Sequence, residues 1–190
     1  MPLATGRGVK IFLTPRPVSQ SFSLVYNTSV NIVLFEPDIP GNTGNVGRTC
    51  VATGSRLHLV GKLGFSLDDA HVKRSGLDYW QKVQLEKHKN WEDFSKSLKS
   101  GACLYFFSKK AERAYWEATF APESYLIFGC ETSGLPRTFH ERYQADFYRI
   151  PMVPGSVRSL NLSTSVGVVL YEALRQTGVP LNGHGITNTH

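Results

Sequence analysis

Short apolar runs recur along the chain, and polar or turn-forming residues separate each run from the next. Five runs have the continuous apolar character of buried parallel strands: 31–35, 56–60, 103–107, 125–129 and 147–150. The segment 83–88 alternates and predicts a sixth strand. Helices are predicted over about 42–54, 68–75 and 91–99, the last capped by Asn90, and in the apolar segment that ends near 176. Strands that alternate with helices predict an α/β fold with a mostly parallel sheet flanked by helices.

These elements predict one compact domain from residue 31 to 177. Residues 1–30 precede it as an N-terminal extension with several basic residues and no acidic one. This composition is similar to that of a transit peptide, but Pro15, Pro17 and the lack of a clear amphipathic helix favour a plain extension over an organellar address. Residues 178–190 are polar with several glycines and predict a loose C-terminal tail.

Composition and charge favour a folded protein with an anionic partner over a membrane-spanning one. The chain of 190 residues is 41% hydrophobic, enough for a sizeable core, and no apolar run is long enough to cross a bilayer. A formal net charge of +6 favours an anionic partner, of which nucleic acid is the commonest.

The cysteines and histidines indicate a reducing setting without a metal. Cys50, Cys103 and Cys130 form no CxxC pair, so we expect neither a disulfide framework nor a zinc site, and we expect a cytoplasmic protein. Cys103 and Cys130 lie in apolar runs, where buried free thiols are expected. The six histidines lack the local spacing of metal ligands, which predicts no metal.

Two stripes at helical spacing follow the first predicted strand. Glycines recur at every third residue from Gly41 to Gly47, and Asn42, Asn45 and Arg48 share that spacing. The glycines would admit another backbone, and the polar stripe would project from the carboxyl end of the strand, where open α/β sheets bind ligands. The spacing fits neither the GxGxxG fingerprint nor a Walker A loop. Taken alone, capping by the asparagines and a surface salt bridge of Arg48 explain the segment equally well.

A second polar segment, from Phe128 to Pro136, directly follows another predicted strand. It places Glu131 at the carboxyl end of that strand, and Gly129, Gly134 and Pro136 predict a tight path that presents backbone groups. An ordinary turn with an exposed glutamate is the simpler interpretation of this segment alone.

A third segment runs from a strand end at Ile150 through a proline- and glycine-bearing loop into the most apolar helix. Arg158, Ser159 and Asn161 lie just ahead of this helix, where unsatisfied backbone N–H groups suit a polar or charged ligand. Helix capping by Ser159 or Asn161 is the simpler interpretation in isolation. Because all three segments follow predicted strand ends, together they favour one composite site.

These segments resemble the three motifs of the SPOUT class of methyltransferases. The similarity extends over NIVLFEPDIPGNTGNVGRTC at 31–50, RSGLDYW at 74–80, LIFGCETSGLP at 126–136 and RIPMVPGSVRSLNLSTSVGVVLYEALRQ at 149–176. More closely, residues 31–177 resemble the tRNA (cytidine/uridine-34)-2′-O-methyltransferase family. The resemblance implies a SPOUT fold with a C-terminal trefoil knot, S-adenosylmethionine as methyl donor, a tRNA anticodon loop as substrate and a homodimer whose active site uses both subunits.

The resemblance also assigns roles by position. It implies that Arg48 lies at the ribose to be methylated and that Glu131, Ser159 and Asn161 complete the catalytic set. The implied cofactor-binding residues are Phe128, Gly129, Glu131, Ile150, Met152, Ser159 and Leu160. The candidates for RNA binding are Asn42, Arg48, Lys73, Arg74 and Arg158, with Lys109, Lys110 and Arg113 as further cations that could contact phosphate. The stretch 154–157 departs from the family pattern.

Methyl transfer to a 2′-hydroxyl requires that the hydroxyl be positioned and lose its proton. Because a guanidinium stays protonated in proteins, we assign Arg48 to phosphate binding and to stabilising the developing alkoxide rather than to general-base catalysis. Two alternatives stay open at this level: a SPOUT enzyme that acts on ribosomal RNA, and a non-catalytic RNA-binding dimer.

Overall fold

The computed structural model describes residues 29–67 and 79–179. In these ranges the strands are β1 (Asn31–Phe35), β2 (Arg56–Val60), β3 (Leu85–His88), β4 (Leu104–Phe107), β5 (Arg113–Ala114), β6 (Tyr125–Phe128) and β7 (Phe147–Arg149). The helices are α1 (Pro40–Thr53), α2 (Trp91–Ser97), α3 (Arg137–Arg142) and α4 (Leu162–Thr177). Three 3-10 turns lie at Trp80–Lys82, Tyr115–Glu117 and Gln144–Asp146. None of the helices in these ranges is both long and apolar enough to span a membrane.

All seven strands pair in parallel in one sheet, in the order β3-β2-β1-β6-β4-β7-β5. This confirms the predicted α/β fold with a mostly parallel sheet flanked by helices. The order places the carboxyl ends of β1, β6, β4 and β7 side by side, at the switch point where such sheets bind ligands. The implied trefoil knot stays a prediction.

Most predicted elements appear within one or two residues of their predicted bounds. The first helix starts at Pro40 rather than Asn42, because proline fits the first helical position, and it ends where Gly54 takes a left-handed φ of 68°. Asn90 caps α2 as predicted, since its side chain accepts a hydrogen bond from Asp93 N. The sequence pattern did not predict β5 or α3. The predicted helix at 68–75, most of the extension 1–30 and most of the tail 178–190 lie outside the described residues.

Apolar cores cover both faces of the sheet. Alternate residues of the central strands pack against α1 and α4 in the first core: Ile32, Leu34, Leu126 and Phe128 with Val46, Leu170 and Leu174. The residues between them pack against α2 and α3 in the second core: Val33, Phe35 and Ile127 with Phe94 and Phe139. Because both faces of β1 are covered, all five of its residues are buried, which explains its continuous apolar run.

Two expectations from the sequence are wrong. A Cβ at Gly47 would lie 2.6 Å from Cζ3 of Trp80, so an aromatic side chain, not another backbone, fills the space beside this glycine of α1. Cys103 is exposed rather than buried, because it lies just ahead of β4. Cys130 is buried, as expected, and so is Cys50.

The three thiols should therefore differ in reactivity. Burial raises the pKa of Cys50 to about 12, which leaves almost no thiolate at pH 8. We expect a chromogenic disulfide reagent to modify Cys103 first in the native protein and to reach Cys50 only after denaturation. Mapping the modified peptides by mass spectrometry checks the order, and Cys103→Ser should abolish the fast phase. A fast reaction at Cys50 would contradict the packing of α1 against the sheet.

Candidate active site

A cleft of about 400 Å³ opens at the carboxyl edge of the sheet. It is enclosed by the first turn of α1, the loops that follow β4 and β6, and the loop that joins β7 to α4. Its apolar walls include Phe107, Leu135, Ile150, Met152 and Leu160, and its polar walls include Asn42, Glu131, Thr132, Ser159, Asn161 and Ser165. A concave site of this size, with apolar walls and convergent polar groups, suits a small organic ligand that has both apolar and polar parts.

The structure brings the predicted cofactor residues together. All seven line the cleft: Phe128, Gly129, Glu131, Ile150, Met152, Ser159 and Leu160. The stretch 154–157 is not among the lining residues. It belongs to an exposed turn in which Ser156 N and Oγ both donate to Val153 O, at 3.1 and 2.7 Å. The departure from the family pattern in this stretch therefore leaves the walls of the cleft in place.

Glu131 joins the loop after β6 to the start of α1. Its carboxylate accepts hydrogen bonds from Asp38 N at 2.9 Å, from Ile39 N at 3.3 Å and from Asn42 Nδ2 at 2.9 Å. Ile39 is the N-cap of α1 and has no side-chain acceptor of its own. Glu131 therefore supplies the negative charge that the helix N-terminus favours, although it lies about 90 residues further along the chain.

Asn42 extends this connection to the loop ahead of α4. Its Oδ1 accepts a hydrogen bond from Asn161 Nδ2 at 2.9 Å, while its own Nδ2 donates to Glu131. Asn161 Oδ1 in turn accepts from Ser163 N and Thr164 N, so it caps α4. The capping interpretation of Asn161 is thus confirmed, and it is compatible with a place in the cleft. We call Glu131, Asn42 and Asn161 the polar relay, because it links all three motifs.

Asn42 is buried, whereas its predicted role in RNA binding requires an accessible side chain. The residue is 7% exposed, and both ends of its amide are used within the protein. Its assignment to RNA contact stays a prediction, but its contacts make it a positioning residue for Glu131 and Asn161.

Asp38 is a residue of this region that the sequence interpretation did not select. Its Oδ2 accepts hydrogen bonds from Cys130 Sγ at 2.8 Å and from Thr132 Oγ1 at 2.7 Å. The hydrogen bond from Cys130, followed by that from Thr132, lowers the pKa of Asp38 below its usual value. These contacts hold the loop after β1 against the loop after β6. A position in a Glu-Pro-Asp-Ile-Pro-Gly turn was the only signal available in the sequence.

The loop after β6 folds back on itself at a glycine. Gly134 N donates to Cys130 O at 2.8 Å, and Gly134 has a left-handed φ of 70°. This closure brings the loop's own backbone over Gly129, where an added Cβ would lie 2.3 Å from Gly134 C and 2.4 Å from Leu135 N. The predicted tight path is confirmed, and it depends on the missing side chain at Gly129.

We expect Gly129→Ala to push this loop out of position. Backbone atoms at this distance cannot rotate away, so the substitution should destabilise the fold by about 2–3 kcal/mol. It should also weaken ligand binding in the cleft by at least about tenfold, since Gly129, Glu131 and Leu135 all line it. Gly41→Ala is the matched control, because a Cβ there meets nothing within 4 Å. Chemical denaturation and calorimetric titration measure the two effects, and equal behaviour of the two variants would contradict the account.

Arg48 lies on α1 outside the cleft lining and is exposed. Its Cζ stacks 4.7 Å from the ring centroid of Tyr79, and the Tyr79 hydroxyl donates to Gly44 O at 3.0 Å. The buried tyrosine therefore orients the guanidinium from one side. Tyr79 belongs to the RSGLDYW block, but its support of Arg48 was not predicted.

The other predicted cations are distributed around the cleft. Lys109 and Lys110 line it, and Lys109 Nζ donates to Arg158 O at 3.3 Å. The side chain of Arg158 is exposed and does not line it, and Arg113 stacks over Tyr148 at 4.3 Å. Lys73 and Arg74 lie outside the described residues. Their roles in RNA binding all stay predictions.

The groups that line the cleft indicate which ligands it can bind. The cleft offers apolar walls, a hydrogen-bonded group of one glutamate and two amides, several hydroxyl groups and the positive charges of Lys109 and Lys110. Burial, together with the charge of Lys110, lowers the pKa of His140, which favours the neutral form of this ring in the lining. The arrangement suits a small cofactor held beside a polyanionic substrate.

Comparison with known proteins agrees with the resemblance seen in the sequence. Residues 29–171 match the model of the SpoU rRNA Methylase family. A tRNA (cytidine(34)-2′-O)-methyltransferase of Saccharophagus degradans is 47% identical over 149 residues, which cover 78% of this chain and 96% of the relative.

Solved structures agree with this result. One, described as giving structural insights into the 2-OH methylation of C/U34 on tRNA, superposes with a TM-score of 0.73 at 45% identity and covers 79% of this chain and 97% of its own. An AdoMet-bound rRNA methyltransferase from Sinorhizobium meliloti shares the fold, with a TM-score of 0.68 at 23% identity over 77% of this chain and 56% of its own.

Proposed function

The chain belongs to the SpoU rRNA methylase family, and we propose that it transfers a methyl group from S-adenosylmethionine to the 2′-hydroxyl of nucleotide 34, the wobble position, of a tRNA. The observation that carries this proposal is the cleft at the carboxyl edge, which gathers residues from all three motifs. Relatives such as that of Saccharophagus degradans carry the name of this reaction and match along nearly their whole length.

The cleft fits S-adenosylmethionine in size and in chemistry. Leu135, Ile150, Met152 and Leu160 provide an apolar slot for the adenine, and Glu131 and the backbone of the surrounding loops provide polar partners for the ribose and the methionine end. When bound, the cofactor supplies an electrophilic sulfonium methyl group. Positioning of the 2′-hydroxyl and stabilisation of its developing charge fall to the residues of the chain.

The residues of the chain would position the ribose and stabilise charge. Arg48 would bind the phosphate next to nucleotide 34 and stabilise the alkoxide that develops as the 2′-hydroxyl loses its proton to that phosphate or to water. The polar relay would hold the cleft loops in register with α1, which carries Arg48. Ser159 would contact cofactor or ribose, and Lys109 and Lys110 would contact phosphates.

A homodimer would complete this site. Arg48 does not line the cleft of its own chain, so an active site shared between two subunits would bring it to the cleft of the partner. Exposed apolar side chains on α4 and in the loop ahead of it would contribute to such an interface: Val168, which is 37% exposed, Tyr171, which is 50% exposed, Val157 and Leu160. The setting that we propose is the cytoplasm, where tRNA is present and unpaired thiols such as these stay reduced.

The experiment combines purified protein, labelled S-adenosylmethionine and bulk tRNA that lacks wobble methylation. Nuclease digestion and mass spectrometry then locate the label, and we expect a 2′-O-methyl group at nucleotide 34. Ribosomal RNA serves as the competing substrate. Incorporation only into ribosomal RNA would replace the tRNA proposal, and cofactor binding without transfer to any RNA would indicate a non-catalytic RNA-binding protein.

A further inference from the structure

A second cluster of side chains lies between β2 and β3, on the face that α2 covers. His58 of β2 is paired in register with Glu86 of β3, and His88 follows two residues later on the same face. His58 Nδ1 lies 3.0 Å from His88 Nε2 and 3.6 Å from Glu86 Oε2, and His88 Nε2 lies 3.9 Å from Glu86 Oε2. Two imidazoles and a carboxylate thus each direct one potential metal-ligand atom to the same small region.

We propose that His58, His88 and Glu86 form a binding site for a divalent transition metal, with Zn²⁺ as the best match. A point equidistant from the three donor atoms lies about 2.1 Å from each, which is the usual distance of about 2.0–2.2 Å between zinc and its nitrogen or oxygen ligands. Two histidines and one carboxylate are a common ligand set for zinc. Strand pairing, not local spacing, brings them together, so this proposal replaces the expectation of no metal from the sequence.

Neighbouring groups orient two of the ligands. Asn31 Nδ2 donates to Glu123 O at 3.0 Å, which fixes the amide so that Asn31 Oδ1 faces His58 Nε2 at 3.4 Å. With Nε2 donating its proton to this oxygen, His58 turns the lone pair of Nδ1 toward the cluster. Arg56 Nη1 holds the other carboxylate oxygen, Glu86 Oε1, at 3.3 Å and leaves Oε2 directed at the histidines. Orientation of this kind is characteristic of metal sites.

Burial gives the site one open side. The histidine side chains are 3% and 9% exposed, and the Glu86 side chain is 44% exposed. Water can therefore fill the fourth position from the side of Glu86, while Phe94 packs edge-on against both imidazoles. Without a metal, the same residues would form a hydrogen bond between His58 and His88, and the test separates these two cases.

The test titrates the full-length protein, freed of metals with a chelator, with Co²⁺. We expect the strong visible absorption of a tetrahedral Co²⁺ site at one ion per chain, displacement by one equivalent of Zn²⁺, and a higher melting temperature with Zn²⁺. His88→Gln should weaken affinity by at least about 100-fold, and Arg56→Gln, which leaves Glu86 without its partner, by about 10-fold.

His140→Gln is the matched control, because His140 is a half-buried histidine that stacks on Phe147 away from this cluster. It should bind Co²⁺ as the wild type does. Glu86→Gln is a second variant that removes a ligand from an exposed position, so it tests the site even if His88→Gln does not fold. The proposal is overturned if the wild type gives no tetrahedral absorption, or if Glu86→Gln binds with wild-type affinity. Methyl transfer is not part of the readout, so failure here leaves the proposed function untouched.

Discussion

We expect Arg48→Lys to lower the rate of methyl transfer by about 100-fold or more, with less than about threefold change in affinity for S-adenosylmethionine. Lysine keeps the charge but loses the planar fork that can bind a phosphate through two hydrogen bonds and stack on Tyr79. Cofactor affinity is spared because Arg48 does not line the cleft. Single-turnover rates at saturating tRNA and cofactor, with affinities from calorimetry, measure the two effects separately.

Arg137→Lys is the matched control for this substitution. Arg137 is exposed and forms an ion pair with Glu141 one helical turn away, so its replacement should leave the rate within about twofold of the wild type. Near-normal turnover by Arg48→Lys would contradict the assigned role, since it would mean that the guanidinium geometry does not matter.

Mixing two inactive variants tests whether the site is shared between subunits. In a heterodimer of Arg48→Lys and Glu131→Gln, a shared site that takes Arg48 from one subunit and Glu131 from the other is intact once per dimer. Random mixing should then restore about a quarter of the wild-type activity. If both residues serve the same site from the same chain, the mixture stays as inactive as its components.

Glu131→Gln should reduce turnover by about 100-fold and lower the free energy of unfolding by about 2 kcal/mol. The carboxylate accepts from two backbone N–H groups and from Asn42, whereas the glutamine amide presents an N–H₂ group to one of these donors. The first turn of α1 and the loop after β6 would then separate, which disturbs the cleft of that chain. Glu141→Gln, in an exposed pair with Arg137, is the control and should be nearly neutral.

Asn42→Asp changes the donor of the hydrogen bond between Asn42 and Glu131, whereas Glu131→Gln changes the acceptor. It places two carboxylates about 2.9 Å apart, so it should be at least as damaging as Glu131→Gln. When both substitutions are combined, the amide introduced at position 131 can donate to the carboxylate introduced at position 42. We expect part of the loss to be recovered in this double variant, with a coupling energy of about 1–2 kcal/mol. Additive losses would mean that the polar relay does not act as a unit.

The strands of the central sheet could be predicted because their sequence pattern reflects burial on both faces. β1 and β6 are continuous apolar runs for this reason. β5 was not predicted because two residues, Arg113 and Ala114, carry no periodicity. The order of the strands could not be derived from local patterns either, since it depends on which distant segments pair.

The residues that line the cleft could be predicted, but the hydrogen bonds between them could not. The resemblance to a known family selected seven of the residues that line the cleft, whereas their residue types alone were equally compatible with turns and caps. The polar relay, and the contact of Asp38 with Cys130, join residues about 90 or more positions apart. Local reasoning finds such pairs only after the fold brings the strand ends together. The cluster at His58 was missed for the same reason.

The central claim, that the enzyme methylates the 2′-hydroxyl of nucleotide 34, is tested most directly with two anticodon stem-loops that differ in one oxygen atom. One carries ribose at nucleotide 34 and the other carries 2′-deoxyribose, with all other ribose groups intact. We expect methyl transfer from S-adenosylmethionine to the first stem-loop and none to the second, with similar affinity for both. Equal incorporation into both stem-loops would contradict it, because the acceptor would then be a different atom.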